Sequence, residues 1–378
     1  MQVAQVASIL NSAINPEIYG ESAVVNEDLS NIVDVGSAVL SSAAGFDNFV
    51  KTLPDVIAKQ LFQDKVYKAD TLGLLRNDWE YGAILQKVYA DELHVSENDT
   101  WKLQNGTDYS PNVFYGPSVN AKYWNKKTTF EVDLSITEKQ VREAFKGASQ
   151  VAAFVGMLYT TIDNQFSYDL EALAQRLVNT LIAEVINKAS NVTSINLLSE
   201  YNTEFGQTVT VAAALHDAGF LRYAGYRMGI TIDRMRKASK LFNVDGKLRF
   251  TNKEDLNIVA LKDFKSSMDF YLQSDVWHNE FTELPGGIKT IPYWQGTGTG
   301  YDFASISKID VVAETGVTVS QGGVLAVMFD NNAAMICNSE RYTDTNYNPK
   351  ARFTNIFNRA DCSYFLDLSQ NAAVFYIA

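Results

Sequence analysis

The last residues of the chain constrain its fold more than any other segment. It closes on Ala372, Ala373, Val374, Phe375, Tyr376 and Ile377, a run that needs a packed sheet or a partner chain to cover it. The end of this protein is therefore expected to be a structural strand and not a tail. Upstream, Val324, Leu325, Ala326, Val327, Met328 and Phe329 form a second apolar run, which reads as a buried strand. It breaks at Asp330, Asn331 and Asn332, and a small-residue turn and an Arg- and Asn-rich segment lead to the closing strand.

A chain of 378 residues with 46% apolar content and 7 prolines can bury a sizeable core in one or two domains. Its net charge of -12 argues against affinity for phosphate backbones or anionic lipid, both of which are bound by clustered Lys and Arg. The first lysine is Lys51, so the opening stretch lacks the positive region of a secretory signal, and export by that route is not expected. The longest apolar patch, 151–158, is too short to cross a bilayer as a helix. Cys337 and Cys362 offer neither a disulfide framework nor a CxxC pair, which suits a reducing compartment.

Residues 1–65 are rich in Ala, Val, Ser and Asn and broken at Pro16 and Pro54, which suggests an extended arm with one short helix at 46–59. Residues 79–89 read as a strand. A polar stretch dotted with aromatics, 90–124, carries Gly106, Pro111, Gly116 and Pro117. Phe130, Val132, Leu134 and Ile136 then alternate with Glu131, Asp133 and Ser135, and read as the returning strand of a long two-stranded excursion. An isolated hairpin is marginal in water, so 90–124 is expected to be mobile in the free subunit and ordered only over a neighbour.

Helices are predicted at 137–146, with Glu138 near the start, and at 161–189. The second places Ile162, Phe166, Leu170, Leu173, Leu177, Leu181 and Val185 on one stripe of a rod about 43 Å long. Leu173 and Leu177 are expected to be buried, and Glu171 and Gln175 exposed. Further strands are expected at 195–198, 247–250, 256–261, 306–312 and 324–329. Helices are expected at 209–221, 231–242 and 262–273, and Gly286, Gly287, Pro292 and the run 296–300 mark an extended loop.

No catalytic signature emerges. Gly296-Thr-Gly-Thr-Gly300 lacks the preceding strand and following helix of a phosphate cradle. His94, His216 and His278 show no metal-ligand spacing. Asp302 with Asp310, and Asp361 with Asp367, are carboxylates that convergence could pair for acid-base work, although on so acidic a chain a solvated surface is the favoured reading. Arg222, Arg227, Arg234, Arg236, Lys237 and Lys240 form the one strongly basic stretch. With no interleaved aromatic platform, it reads as a charged helix face or subunit contact rather than a nucleic-acid site. No catalytic, cofactor or metal residue is assigned, and no cofactor is expected.

The order of elements resembles the HK97-like major capsid proteins of tailed double-stranded DNA bacteriophages. The hairpin at 88–127 looks like their extended E-loop, and the helix at 161–189 looks like their long spine helix. Val324-Leu-Ala-Val-Met-Phe-Asp-Asn-Asn-Ala-Ala334 is similar to the strand and turn of their axial domain. Phe353-Thr-Asn-Ile-Phe-Asn-Arg-Ala-Asp361 and the closing strand resemble the return to their peripheral domain.

This resemblance implies an α+β chain divided into an N-terminal arm (1–77), an extended hairpin with flanking strands (78–136), a peripheral domain with the spine helix (137–205), a mainly axial domain (206–345) and a return to the peripheral domain (346–378). It implies a non-enzymatic protein that self-assembles through hexamers and pentamers into an icosahedral shell. Such a shell encloses double-stranded DNA without sequence-specific binding and makes no use of a membrane. Scaffolding, portal and decoration proteins are the implied partners, the virion is the implied location, and assembly is expected in the host cytoplasm. The alternatives are an encapsulin-like nanocompartment of the same fold, and a carboxylate-based hydrolase binding sugars through the aromatic loop at 277–301.

Overall fold

The structure, a computed structural model, describes residues 7, 10–11, 14, 24–40, 69–76, 85–90, 99–109, 112, 114, 116, 119–144, 148–188, 190–272, 288–295, 302–314 and 316–378. In chain order its strands are β1 (Leu85–Ala90), β2 (Val119–Trp124), β3 (Lys127–Thr137), β4 (Ser194–Asn196), β5 (Leu256–Leu261), β6 (Lys289–Ile291), β7 (Ile309–Val312), β8 (Thr318–Gln321), β9 (Val324–Asp330), β10 (Ala334–Asn348), β11 (Phe353–Leu366) and β12 (Ala372–Tyr376). Its helices are α1 (Ile32–Leu40), α2 (Glu138–Ala144), α3 (Ala148–Asn187), α4 (Leu197–Phe205), α5 (Val211–Ala214), α6 (Ala218–Met235), α7 (Lys262–Leu272) and α8 (Phe303–Ile306).

Both C-terminal apolar runs lie inside one five-stranded sheet of order β4-β12-β9-β5-β6. The inner pairs β12-β9 and β9-β5 are antiparallel, and the outer pairs are parallel. Every residue of β9 is buried, as a strand covered on both faces should be. Phe375 lies between Ala326 of β9 and Ile195 of β4, so the chain end fills the interior of the sheet. Gly323 makes this possible. Its φ is +68°, and a Cβ there would fall 2.0 Å from the Ile377 carbonyl oxygen, so only glycine lets β9 start beneath the last residues.

The spine α3 is longer than its apolar stripe suggests. It begins at Ala148 rather than at 161, because the patch at 151–158 continues the helix, and its length is about 60 Å. The stripe from Ile162 to Val185 is buried throughout. Gln175, expected at the surface, instead donates to the Trp294 carbonyl at 3.0 Å, and Asn179 donates to the same oxygen at 2.7 Å. Trp294 is fully buried and its Nε1 donates to Val324 O, so it joins the spine to the sheet.

Caps and close approaches shift several boundaries. The segment 195–198 is not one strand: Asn196 accepts from the Ser199 amide and starts α4, which Gly206 ends in the left-handed conformation. Asp217 accepts from the Phe220 amide and opens α6, so the helices expected at 209–221 and 231–242 become α5 and a single α6 across the gap. Within the gap Gly225 serves helix contact, since a Cβ there would meet Met268 Cε of α7 at 3.4 Å. Residues 247–250 contribute only the isolated bridge Ser239 to Arg249. The strand expected at 306–312 is α8 followed by β7. The helix expected at 46–59 lies outside the described residues.

A second sheet has the order β10-β11-β3. The Phe130 strand is therefore not the returning arm of the hairpin. It pairs with β11, while β1 pairs with β2. Its strict alternation gives an inner face, including Phe130, Leu134 and Ile356, and an outer face where Arg359 bridges Glu131 at 3.2 Å and Asp344 at 3.0 Å. Thr137 and Gln140 form a reciprocal capping box that turns β3 into α2. The Arg- and Asn-rich segment is the long β10-β11 hairpin, to which its residue pattern assigns no element.

The strand pairing also divides the segment 346–378. Phe353–Leu366 belongs to the three-stranded sheet, and Ala372–Tyr376 lies in the five-stranded sheet beside β9. The final strand thus shares a sheet with the 324–330 strand, instead of returning with β11 as one unit.

Where described, the N-terminal segment is folded rather than extended. Ala7, Leu10, Ile14, Val25, Leu29, Ile32 and Val35 are buried, and Asn11 clasps Val25 through both its amide nitrogen and its side-chain oxygen. Residues 69–76 then form a strap. Leu75 bridges Ile336 at the start of β10, Asn257 of β5 donates to Leu72 O, and Arg76 donates to Asn331 O and Asn332 Oδ1. The strap touches both sheets.

Candidate functional site

The feature with most functional content is the β1-β2 hairpin and the place where it meets the body. Its base packs on the outer face of the three-stranded sheet. Leu85 and Trp124 cover Met335, Cys337 and Phe365 there. The Trp124 and Phe365 rings lie 5.0 Å apart, and Trp124 Nε1 donates to Leu366 O. Tyr89 is approached by Lys247 and Arg249, which lie 5.6 and 5.5 Å from its ring centre.

Two lysines complete the base. Lys87 Nζ lies 2.5 Å from Asp367 Oδ2, and Lys122 Nζ lies 3.4 Å from Asp367 Oδ1 and also pairs with Asp245. The Asp367 side chain is wholly buried. Burial pushes its carboxyl up, but the Lys87 hydrogen bond and charge, with the Ser369 hydroxyl and amide, outweigh burial and hold it below the ordinary range. Burial also opposes the charge on Lys122, and Asp245 and Asp367 together raise it.

Beyond this base the hairpin presents aromatic and aliphatic side chains to water. Trp101 is 97% exposed and Phe114 91%, with Leu103, Tyr109, Val119 and Tyr123 also exposed. Large side chains this open in one subunit mark an interaction surface. A second exposed set, including Phe205, Tyr226, Leu241, Phe250 and Phe270, lies on and near α4, α6 and α7.

The residues weighed for chemistry go elsewhere. His216 meets Tyr271 Oη at 3.4 Å, while His94, His278 and the run 296–300 lie outside the described residues. Asp361 accepts from Thr129, Asp367 holds the two lysines, and Asp310 lies near Lys308. Among the described residues no group of His, Cys, Asp and Glu could hold a metal ion. Trp294 of the aromatic loop is in the core and offers sugars no platform. In the basic stretch, Arg227 is held by Glu200 at 2.8 Å and Arg236 faces Asp233. A cleft of about 540 Å³ between α4 and α6 is lined by Glu200, Glu204, Tyr223, Arg227 and Arg234. Burial, then Glu200 and Glu204, raise the Tyr223 hydroxyl far above its usual range, so Tyr223 itself is not an activated nucleophile.

The two cysteines face opposite sides of the second sheet, Cys337 under the hairpin base and Cys362 in the main core. Both are buried thiols outside any disulfide. No described helix is long and apolar enough to cross a membrane.

A family model for the Phi29-like phage major capsid protein matches residues 7–376. No curated protein sequence matches. Among solved structures, the chain is similar to the capsid structure of Staphylococcus phage Andhra at 10% identity and a TM-score of 0.52, covering 83% of this chain and 86% of that one. The capsid structure of the cyanophage P-SCSP1u shares 13% identity over 83% of this chain and 90% of that one, with a TM-score of 0.44.

Proposed function

Because this chain belongs to the Phi29-like phage major capsid protein family, we propose a specific way in which it builds its shell. It is a shell-forming capsid protein of the HK97-like fold and a component of the virion. Subunits associate into hexamers and pentamers that close an icosahedral container around double-stranded DNA. The observation that carries this is the hairpin: its base is bolted to the body, while Trp101 and Phe114 project almost fully exposed. A surface so placed gains cover by lying over another copy, and a heterologous contact repeated about closed axes makes rings and then a shell.

The parts divide accordingly. Residues 1–77 are the arm, β1 and β2 the base of the E-loop, α3 with β10-β11-β3 the peripheral domain, and the five-stranded sheet with α4 to α7 the axial domain. The role is structural rather than enzymatic, which is supported by the structural partners of Asp361, Asp367 and His216. A net charge of -12 fits a lining that leaves packaged phosphates unbound. Scaffolding, portal and decoration proteins are the partners, and two buried thiols suit assembly in the reducing host cytoplasm.

Co-expression with the proteins encoded beside it, followed by light scattering and negative-stain microscopy, should yield closed particles. Trp101 emission, isolated by subtracting the Trp101→Phe spectrum, should shift to the blue on assembly. A strict monomer under every condition overturns the proposal.

A further inference from the structure

We infer that Asp367 is a positioning residue for shell assembly, fixing the direction in which the β1-β2 hairpin leaves the subunit; this rests on the capsid reading above. Lys87 and Lys122 are direct partners in the hairpin register, and like charges directly opposite one another repel. Left to themselves, two such lysines splay into water. Here both amines turn to the same buried carboxylate, Lys87 to Oδ2 and Lys122 to Oδ1. One side chain therefore grips both strands.

The grip is fastened to a particular place. Asp367 opens the turn at 367–371, a short crossing from the three-stranded to the five-stranded sheet; the turn at 330–333 is a short crossing in the other direction. The Asp367 amide donates to Ala333 O at 2.7 Å, and the Asp330 amide donates to Asn371 O at 3.0 Å, so the crossings hold each other. Asp330 in turn accepts from Thr251 at 2.8 Å, and Asn371 donates to Thr251. The Val244 and Asp245 amides donate to Leu368 O, which places Asp245 where it can take the second bond of Lys122. Within the turn, Ser369 donates to Asp367 Oδ1 through its amide at 3.1 Å and its hydroxyl at 2.7 Å.

The hairpin is thus referenced to the junction of the two sheets rather than to either sheet alone. Tethered only by its chain ends, a two-stranded arm would sample a cone of directions. Two ion pairs converging on one buried point, beside the Trp124 contact, leave one direction. An arm already pointing where its neighbour lies loses less freedom on contact, and apparent affinity scales with the fraction of subunits in the competent orientation.

The test uses the full-length protein with Lys87→Gln/Lys122→Gln and Lys87→Arg/Lys122→Arg. The lysine side chains are about one third exposed, so these variants are expected to fold even if Asp367→Asn does not. Three quantities are read: the melting temperature of the free subunit, the protein concentration giving half assembly, and the spread of particle diameters. The Gln pair leaves the buried Asp367 carboxylate without its counter-charges and is expected to lower melting; well below that melting temperature it is expected to raise the assembly concentration about tenfold and broaden the diameters, while the Arg pair restores melting, and assembly to within about twofold of wild type. Wild-type assembly by the Gln pair overturns the inference. So does equal failure of the Gln and Arg pairs, or an equal assembly defect in Phe375→Ala, whose melting falls with no change at the hairpin base. If the wild type itself forms no shell, the capsid reading falls and takes this inference with it.

Discussion

Phe375→Ala is expected to remove a large part of the stability of the subunit. The side chain is fully buried in the second strand of a five-stranded sheet, and Phe→Ala in such a site costs ~3–5 kcal/mol from lost transfer energy and the cavity left behind. Its partner across β9 is Ala326, too short to collapse into the void, which places the cost toward the top of that range. Against a total of ~5–15 kcal/mol for a typical folded domain, this is at least a third. An unfolding entropy of ~2.1 cal/mol/K per residue over 378 residues amounts to about 0.8 kcal/mol/K, so the melting temperature should fall by about 4–6 °C. Thermal unfolding followed by far-UV circular dichroism, at concentrations below assembly, measures this without the stabilising effect of neighbours. Phe270→Ala serves as the control, because Phe270 is 72% exposed and should shift stability by no more than about 0.5 kcal/mol. Equal melting of the two variants would refute the placement of the chain end inside the sheet.

Leu173→Asp should prevent folding, because it buries an unpaired charge in the spine at several kcal/mol, whereas Glu171→Gln should be tolerated; equal soluble yields would break the helix register. Gln175→Glu, silent if the residue faced water, should instead cost ~1–3 kcal/mol in chemical denaturation by turning an acceptor toward the Trp294 carbonyl. Gly323→Ala should lower the melting temperature, since the left-handed backbone alone costs ~1–2 kcal/mol and the Ile377 carbonyl must also move. Asp367 has a lowered carboxyl, so its contribution is complete above the ordinary value of 3.8 and lost as pH falls through the lowered one. Limited proteolysis of the hairpin base should therefore change only in strong acid, and a transition between about pH 6 and 5 would contradict that sign. Burial pushes the Cys362 thiol up to about 12, so a thiol reagent should label it only after unfolding; rapid native labelling would contradict its burial.

What could be read from the residues and what could not divides along a physical line. Apolar runs and periods are properties of one segment, so β9, β12, the α3 stripe and the alternation of β3 are legible in the residue order alone. Pairing is a property of two segments. The alternation of β3 says which face is wet, but its partner β11 stands about 220 residues away, as in the Ser135 to Asn355 contact. The β10-β11 hairpin escapes notice for a different reason: its inner face carries Arg341, Thr343, Thr354 and Asn358, which spoil the apolar alternation. Arg341 reads as a surface residue, yet it lies over the Phe166 ring at 4.5 Å and near buried Asp163 at 3.5 Å.

The hairpin base is harder still to foresee, because Lys87, Lys122 and Asp367 are surface types separated by 280 and 245 positions. No local spacing brings them together, and the one signal available is a pair of lysines interrupting two strands of a hairpin. Trp101 and Phe114 show the limit from the other side. By residue type they belong in a core, and in the single subunit they are almost fully exposed. For a subunit that completes its burial against other copies, sequence pattern and monomer structure must disagree at the contact residues. That disagreement is sharpest at Trp101 and Phe114, beyond a base fixed by two lysines and one buried carboxylate.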